Sequence, residues 1–311
     1  MSLILLGTGV GMVLLPGMTR RIGRHVIPSK WTWMCLLSLV VGAATIELAS
    51  VLYAAPTALR AVGIPGLANL CQRVLDALVP GGRMFGWLGA ALAVAVAVGV
   101  GIGAIRAYRD RAIVRAGSQF GDRIAGELSD LVVLPTDVAI ALSISGAPDQ
   151  VIVSDGLIQL LSAEELAVVL AHETAHIEHR HERFVGVASA IEHGLWFLPL
   201  IHRSTGTLRF GIERWADEAA ASQAPDGRQL LESALVKVSS SVVSPTILAF
   251  SGSASVLERI WALRNPSRST DLALGLALMP GLVLGSIGLA GTIATSASAL
   301  SLISNLGSCP L

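Results

Sequence analysis

His172, Glu173 and His176 spell H-E-x-x-H inside "LAHETAHIEHRHER", a fourteen-residue stretch with four histidines and three glutamates. On an α-helix, residues four apart lie about 40° apart around the axis and one turn along it. Both imidazoles can then reach one metal ion, and zinc suits imidazole ligands. Glu173 follows the first histidine and points to the side where a water would sit. A carboxylate there can take the water's proton and return it to a leaving amine. The cofactor expected is one Zn2+ per chain.

Hydrolysis of this kind needs a third protein ligand. "GIERWADEAAA" lies downstream and places Glu213 and Asp217 four residues apart, on one helical face. Glu213 is read as the third metal ligand. Asp217 is read as the carboxylate that accepts the free N–H of a ligating histidine and fixes its tautomer. An acid pair on a solvated helix is the alternative for these two residues alone. His179 shares the face of His172, and His181 and Arg180 read as a solvated face. His193 is either an oxyanion donor or a satisfied buried histidine.

These side chains need elements to hold them. Ser162 followed by Glu165 forms an S-x-x-E capping box ahead of Leu166, Val169 and Leu170 at helical spacing. The histidines therefore sit on a well-started helix. Before it, Val138 to Ser145 and Val151 to Ser154 are β-rich and flank the turn sequence "GAPDQ", as a hairpin or as two strands of a small sheet. Val185 to Ile201 is apolar but carries Glu192 and His193, which suggests a buried or interfacial helix.

The rest of the chain is apolar. Of 311 residues 53% are hydrophobic and only 14% charged, and the net charge is zero, which excludes a basic nucleic-acid surface. Residues 31–55 contain one charge, Glu47, and residues 84–105 and 272–298 contain none. Each exceeds the roughly 20 residues that cross a bilayer core, and residues 3–18 are apolar throughout. The expected fold class is a mainly α membrane protein of about four transmembrane helices with an α+β zinc-peptidase domain containing a small sheet. Its regions are 1–105 (membrane), 106–270 (peptidase domain) and 271–311 (a last membrane helix and short tail). Arg20, Arg21, Arg24 and Lys30, and later Arg106, Arg109, Arg111 and Arg115, mark the cytoplasmic side by the positive-inside rule. Both termini are then outside and the peptidase domain is cytoplasmic, in the cell membrane. Glu47 is costly in a membrane helix and should face the bundle interior. Cys71 and Cys309 fall on the outer side, either bridged or as two separate thiols. The partners expected are the lipid bilayer and a protein or peptide substrate, with no nucleic acid.

"AEELAVVLAHETAHIEHRH" followed by "ERWADEAAA" resembles the membrane-bound gluzincin peptidases. The resemblance is to the M56 family, the β-lactam-sensing antirepressor type, and to the related M48 family. It implies a zinc endopeptidase with His172, His176 and Glu213 as ligands, Glu173 as base and Asp217 as their helper. By analogy with gluzincins, the strand containing Ala139, Ile140, Ala141 and Leu142 would hold an extended substrate; the alternative is a fully paired strand. Only about ten residues follow the last apolar segment, so the large outer sensor of antirepressor peptidases is not expected. The substrate is then a repressor, or a damaged membrane protein as in the M48 group. A zinc-binding scaffold without activity is the alternative.

Overall fold

The structure is a computed structural model, and it describes residues 2–63, 66, 69, 82–124, 130–241 and 256–266. The predicted membrane helix at 272–298 and both Cys71 and Cys309 lie outside these residues. The chain begins with α1 (Ser2–Met18), a four-residue turn of helix α2 (Arg20–Gly23), α3 (Pro28–Ala61) and α4 (Gly82–Gly117). Among the described residues, α3 and α4 are long and apolar enough to cross a membrane, while α1 is a shorter apolar helix. Both long helices outrun their predicted apolar limits. The sequence reading ended the third helix at 105 and took 106–115 as a loop. Instead "RAYRDRAIVR" stays helical, because Arg and Ala are good helix formers and no glycine or proline intervenes until Gly117.

Small residues bring the first helices together. A Cβ on Gly9 would meet Ile46 Cγ1 at 2.8 Å and Gly42 O at 2.9 Å, and one on Gly42 would meet Gly9 O at 2.8 Å. The α1 and α3 backbones therefore touch at this crossing, as small residues permit in membrane helix pairs.

A short 3-10 turn (Ser118–Phe120) leads into a four-stranded sheet of order β1-β2-β4-β3: β1 (Asp122–Ile124), β2 (Asp130–Leu134), β3 (Ala141–Ile144) and β4 (Gln150–Ser154). β2 and β4 are parallel, and the other pairs are antiparallel. The first two strands escaped the sequence reading because short strands without alternation carry little signal. The strand predicted from Val138 to Ser145 is only Ala141–Ile144. Ahead of it, Ile140 O still accepts from Ser154 N at 3.1 Å, but Ile140 N donates to the Ser154 side chain, to Oγ at 2.9 Å. β3 is an edge strand, paired with β4 alone among the described strands.

Helices α5 (Asp155–Leu160), α6 (Ala163–Glu178), α7 (His181–Gly194), α8 (Ile201–Ala221), α9 (Gly227–Ser241) and α10 (Val256–Arg264) follow. Val151, Val153 and Leu157 are buried against Leu166, Val169, Leu170 and Ile177, so α6 lies on the sheet. A second core joins α1, α3 and α4 to α7 and α8 through Val13, Trp31, Leu39, Val96, Phe184, Ala188, Ile191 and Leu208. The apolar helices and the helices around the histidines thus share one interior.

The capping box forms as expected. Glu165 N donates to Ser162 Oγ at 3.2 Å, and Ser162 N donates to Glu165 Oε2 at 2.8 Å. Glu165 also accepts from Lys237 Nζ (2.7 Å) and Ser233 Oγ (2.6 Å) on α9. Lys237 and then Ser233 hold its carboxyl down at about 2, against an ordinary 4.5. This contribution is complete above pH 4.5 and disappears as pH falls toward 2. Glu165→Gln should destabilise the fold by about 1–2 kcal/mol at neutral pH. The variant should also lose less stability than the wild type on going from neutral to pH 3. Thermal melts of the detergent-solubilised chain at pH 7 and pH 3 check this, and equal losses in both proteins would refute the capping account.

Candidate metal centre

α6 and α8 pack side by side and aim three donors at one point. His172 Nε2 lies 3.1 Å from His176 Nε2, 3.6 Å from Glu213 Oε2, and His176 Nε2 is 3.9 Å from Glu213 Oε1. One ligand atom from each of the three residues lies within 4.8 Å of the others. Glu213 faces the histidines because it shares a helical face with Ala220, which packs with Val168 of α6. Glu173 is half-buried beside the histidines on α6.

Both imidazoles are fixed at their far nitrogens. His172 Nδ1 is 3.0 Å from Asp217 Oδ1, one turn beyond Glu213 on α8. His176 Nδ1 is 3.0 Å from Nδ1 of His181. This corrects the solvated face expected for His181, which is only 1% exposed. Arg180 adopts a left-handed conformation, φ 52°, and reverses the chain between α6 and α7. His181 is thereby folded back under His176, between Phe184 and Trp215. Burial, with His176 beside it, pushes His181 down to about 3. It is therefore neutral, and a neutral imidazole can accept the Nδ1 proton of His176, leaving His176 Nε2 as a free donor atom. His179 stacks on Trp215 at 4.6 Å and is outside the donor group. His193 is also elsewhere, with Nε2 3.1 Å from Arg106 and Nδ1 2.8 Å from Ser189 O.

Arg259 of α10, which no sequence motif singles out, is part of this centre. Its Nη1 lies 3.2 Å from Glu213 Oε2, and it grips Asp217 through Nε (3.0 Å) and Nη2 (2.5 Å). Burial pushes both carboxyls up, but Arg259 and the imidazoles outweigh it and hold both below their usual range. Burial also opposes protonation of His172, yet Asp217 and Glu213 raise it to about 9, while burial lowers His176. No local signal marks Arg259, since α10 is reached only through residues 242–255.

The predicted substrate strand is near but only partly exposed. Ala139 and Ala141 pack under α6 in the sheet core, so the strand offers a ligand its backbone edge, not these side chains. A separate cleft of about 410 Å³, lined by residues including Ser145, Asp149, Thr174, Glu178 and Arg183, contains none of the donor residues.

Two imidazoles and a carboxylate converging from two helices form a possible three-residue metal site. Residues 139–251 match the family model described as Peptidase family M48. This segment is similar to the M48 peptidases, a family of metal-dependent proteases, and it spans β3, α6 and α8 with all three donors. No curated protein and no solved structure matches the chain.

His181→Phe keeps an aromatic ring but removes the acceptor behind His176. It should weaken zinc affinity by about 10–100-fold with little change in fold, as read by chelator competition and circular dichroism. An unchanged affinity would show that His181 is mere packing. Arg259→Met leaves two buried carboxylates without their cation and should destabilise the fold by about 3–5 kcal/mol, measured by thermal unfolding.

Proposed function

We propose that this chain is an integral-membrane zinc endopeptidase that hydrolyses peptide bonds of protein substrates at the cytoplasmic face of the cell membrane. The carrying observation is the donor set itself: two Nε2 atoms and one carboxylate face a common point, and each imidazole has its other nitrogen held. That set fits zinc, which favours nitrogen and carboxylate donors and leaves a position open in catalytic sites. His172, His176 and Glu213 would hold the ion. When bound, it polarises a carbonyl and makes water acidic enough to ionise near neutral pH.

The chain's own residues do the remaining work. Glu173 accepts the water's proton and delivers it to the departing amine. Asp217 and His181 keep the imidazoles in one orientation, and Arg259 keeps Glu213 and Asp217 ionised. β3 lies at the sheet edge next to α6, and the backbone of residues 139–142 supports reading it as the cradle for an extended peptide that adds a strand. The arginines at 20, 21 and 24 and at 106–115 support a cytoplasmic position for the centre. The match to the M48 model favours damaged or misfolded membrane proteins as substrates over a single repressor. An antirepressor role in the manner of M56 enzymes is the second reading, supported by the sequence motifs.

Glu173→Gln should retain one zinc per chain and lower kcat by about 10²–10⁴-fold. Metal analysis of the purified variant and comparison of new protein N-termini in cells expressing it or the wild type test this. Full cleavage by the variant would exclude Glu173 as base. Zinc binding with no cleavage by either protein would favour the scaffold alternative.

A further inference from the structure

The segment from Val185 to Ile201 was too short and too polar to read as a membrane span, yet the helices place it among the apolar ones. α7 runs antiparallel along α4, and the contacts set its register. Arg111 Nη2 donates to Glu182 O at 2.5 Å near the start of α7. A Cβ on Gly103 would meet Ala190 Cα at 2.8 Å, and one on Gly99 would meet His193 O at 2.5 Å. At the end of α7, a Cβ on Gly194 would lie 3.2 Å from Val96 O. α7 therefore climbs α4 from the level of Arg111 to that of Val96. The last arginine before the uncharged stretch is Arg106. Val96 is ten residues further in, about 15 Å along the helix, half of a hydrocarbon core about 30 Å thick.

α8 brings the chain back. Ser204 Oγ accepts from Gly17 N at 3.3 Å, at the end of α1, and Gly211 packs on Thr32 near the start of α3. Glu213 follows on the next half-turn. The tip between the two helices is "LWFLPL", residues 195–200. Leu195 is fully buried against the core that contains Val96, whereas Trp196 is 69% exposed.

We infer that α7, this tip and the first turns of α8 form a re-entrant hairpin, with Trp196 in contact with lipid acyl chains. Backbone at that depth must satisfy its own hydrogen bonds. Turn bonds meet part of that requirement: Leu195 N bonds to Ile191 O (2.8 Å), Leu198 N to Leu195 O (2.9 Å) and Ile201 N to Leu198 O (3.0 Å). Charge within a bilayer must be paired. Glu192 accepts from His202 Nδ1 (2.5 Å) and Arg209 Nη1 (3.0 Å), while Arg203 is exposed beside Gly17, at the arginine-marked end of α1. The metal centre then lies at the base of the hairpin, at the membrane surface, with His181 opening one arm and Glu213 on the other.

The inference rests on α3 and α4 spanning the bilayer, and the test separates the two claims. In a chain carrying Cys35→Ala, Cys71→Ala and Cys309→Ala, single spin labels are placed by Trp196→Cys, Val94→Cys and Arg180→Cys. The full-length protein is reconstituted in phosphatidylcholine–phosphatidylglycerol vesicles, and collision with oxygen and with a water-soluble nickel chelate is measured. The expected oxygen-to-nickel ratio is several-fold higher at 196 and 94 than at 180. If 94 is lipid-like while 196 favours nickel or is shielded from both, the hairpin inference fails alone. If 94 also favours nickel, the membrane reading fails with it.

Discussion

Two imidazoles and two carboxylates are gathered in a nearly dry space, and Arg259 is what makes that arrangement tenable. Unpaired, the anions Glu213 and Asp217 would repel each other and take up protons on burial. Gripped by one guanidinium, they stay charged and can orient His172 and complete the donor set. A buried pair of this kind adds little net stability against an apolar replacement, but breaking it is costly. The centre is thus organised by charge complementarity, while the sheet and α6 supply rigidity.

The same electrostatics extends to the first helical hairpin. Glu258, the residue before Arg259, pairs with Arg20 and with Arg24 at 3.0 Å. Arg214, the residue after Glu213, donates to the carbonyls of Gly23 (2.9 Å) and Arg24 (3.2 Å). Burial lowers Arg214 to about 10, which leaves it protonated at neutral pH. The α1–α3 connection is therefore clamped by the immediate neighbours of two site residues. A basic loop first read as a topological signal is also a structural brace, and movement of the first helices has a short path to Glu213.

Much of the centre was legible because it is written in helical spacing. His172 and His176, and Glu213 and Asp217, are each four apart, and the capping box announces the helix that carries the first pair. What escaped depends on tertiary folding. His181 reaches His176 only because Arg180 turns left-handed, a conformation few non-glycine residues adopt and no periodicity reveals. Arg259 comes from a distant helix. The extended lengths of α3 and α4 were missed because hydropathy detects the apolar part of a helix and not its polar continuation. The predicted strand was too long because the Ser154 hydroxyl takes the N–H of Ile140, and the ladder stops there. The placement of α7 against α4 depends on glycines whose partners cannot be known from spacing.

β3 has a further consequence as an edge strand among the described residues. Unpaired N–H and C=O groups recognise any extended backbone, including that of an identical neighbour. Molecules confined to one plane meet in few orientations, so crowding favours edge-to-edge pairing between copies. Pairing of that sort would compete with the extended peptide that β3 is proposed to hold. Under that proposal, local density would act as a brake on turnover.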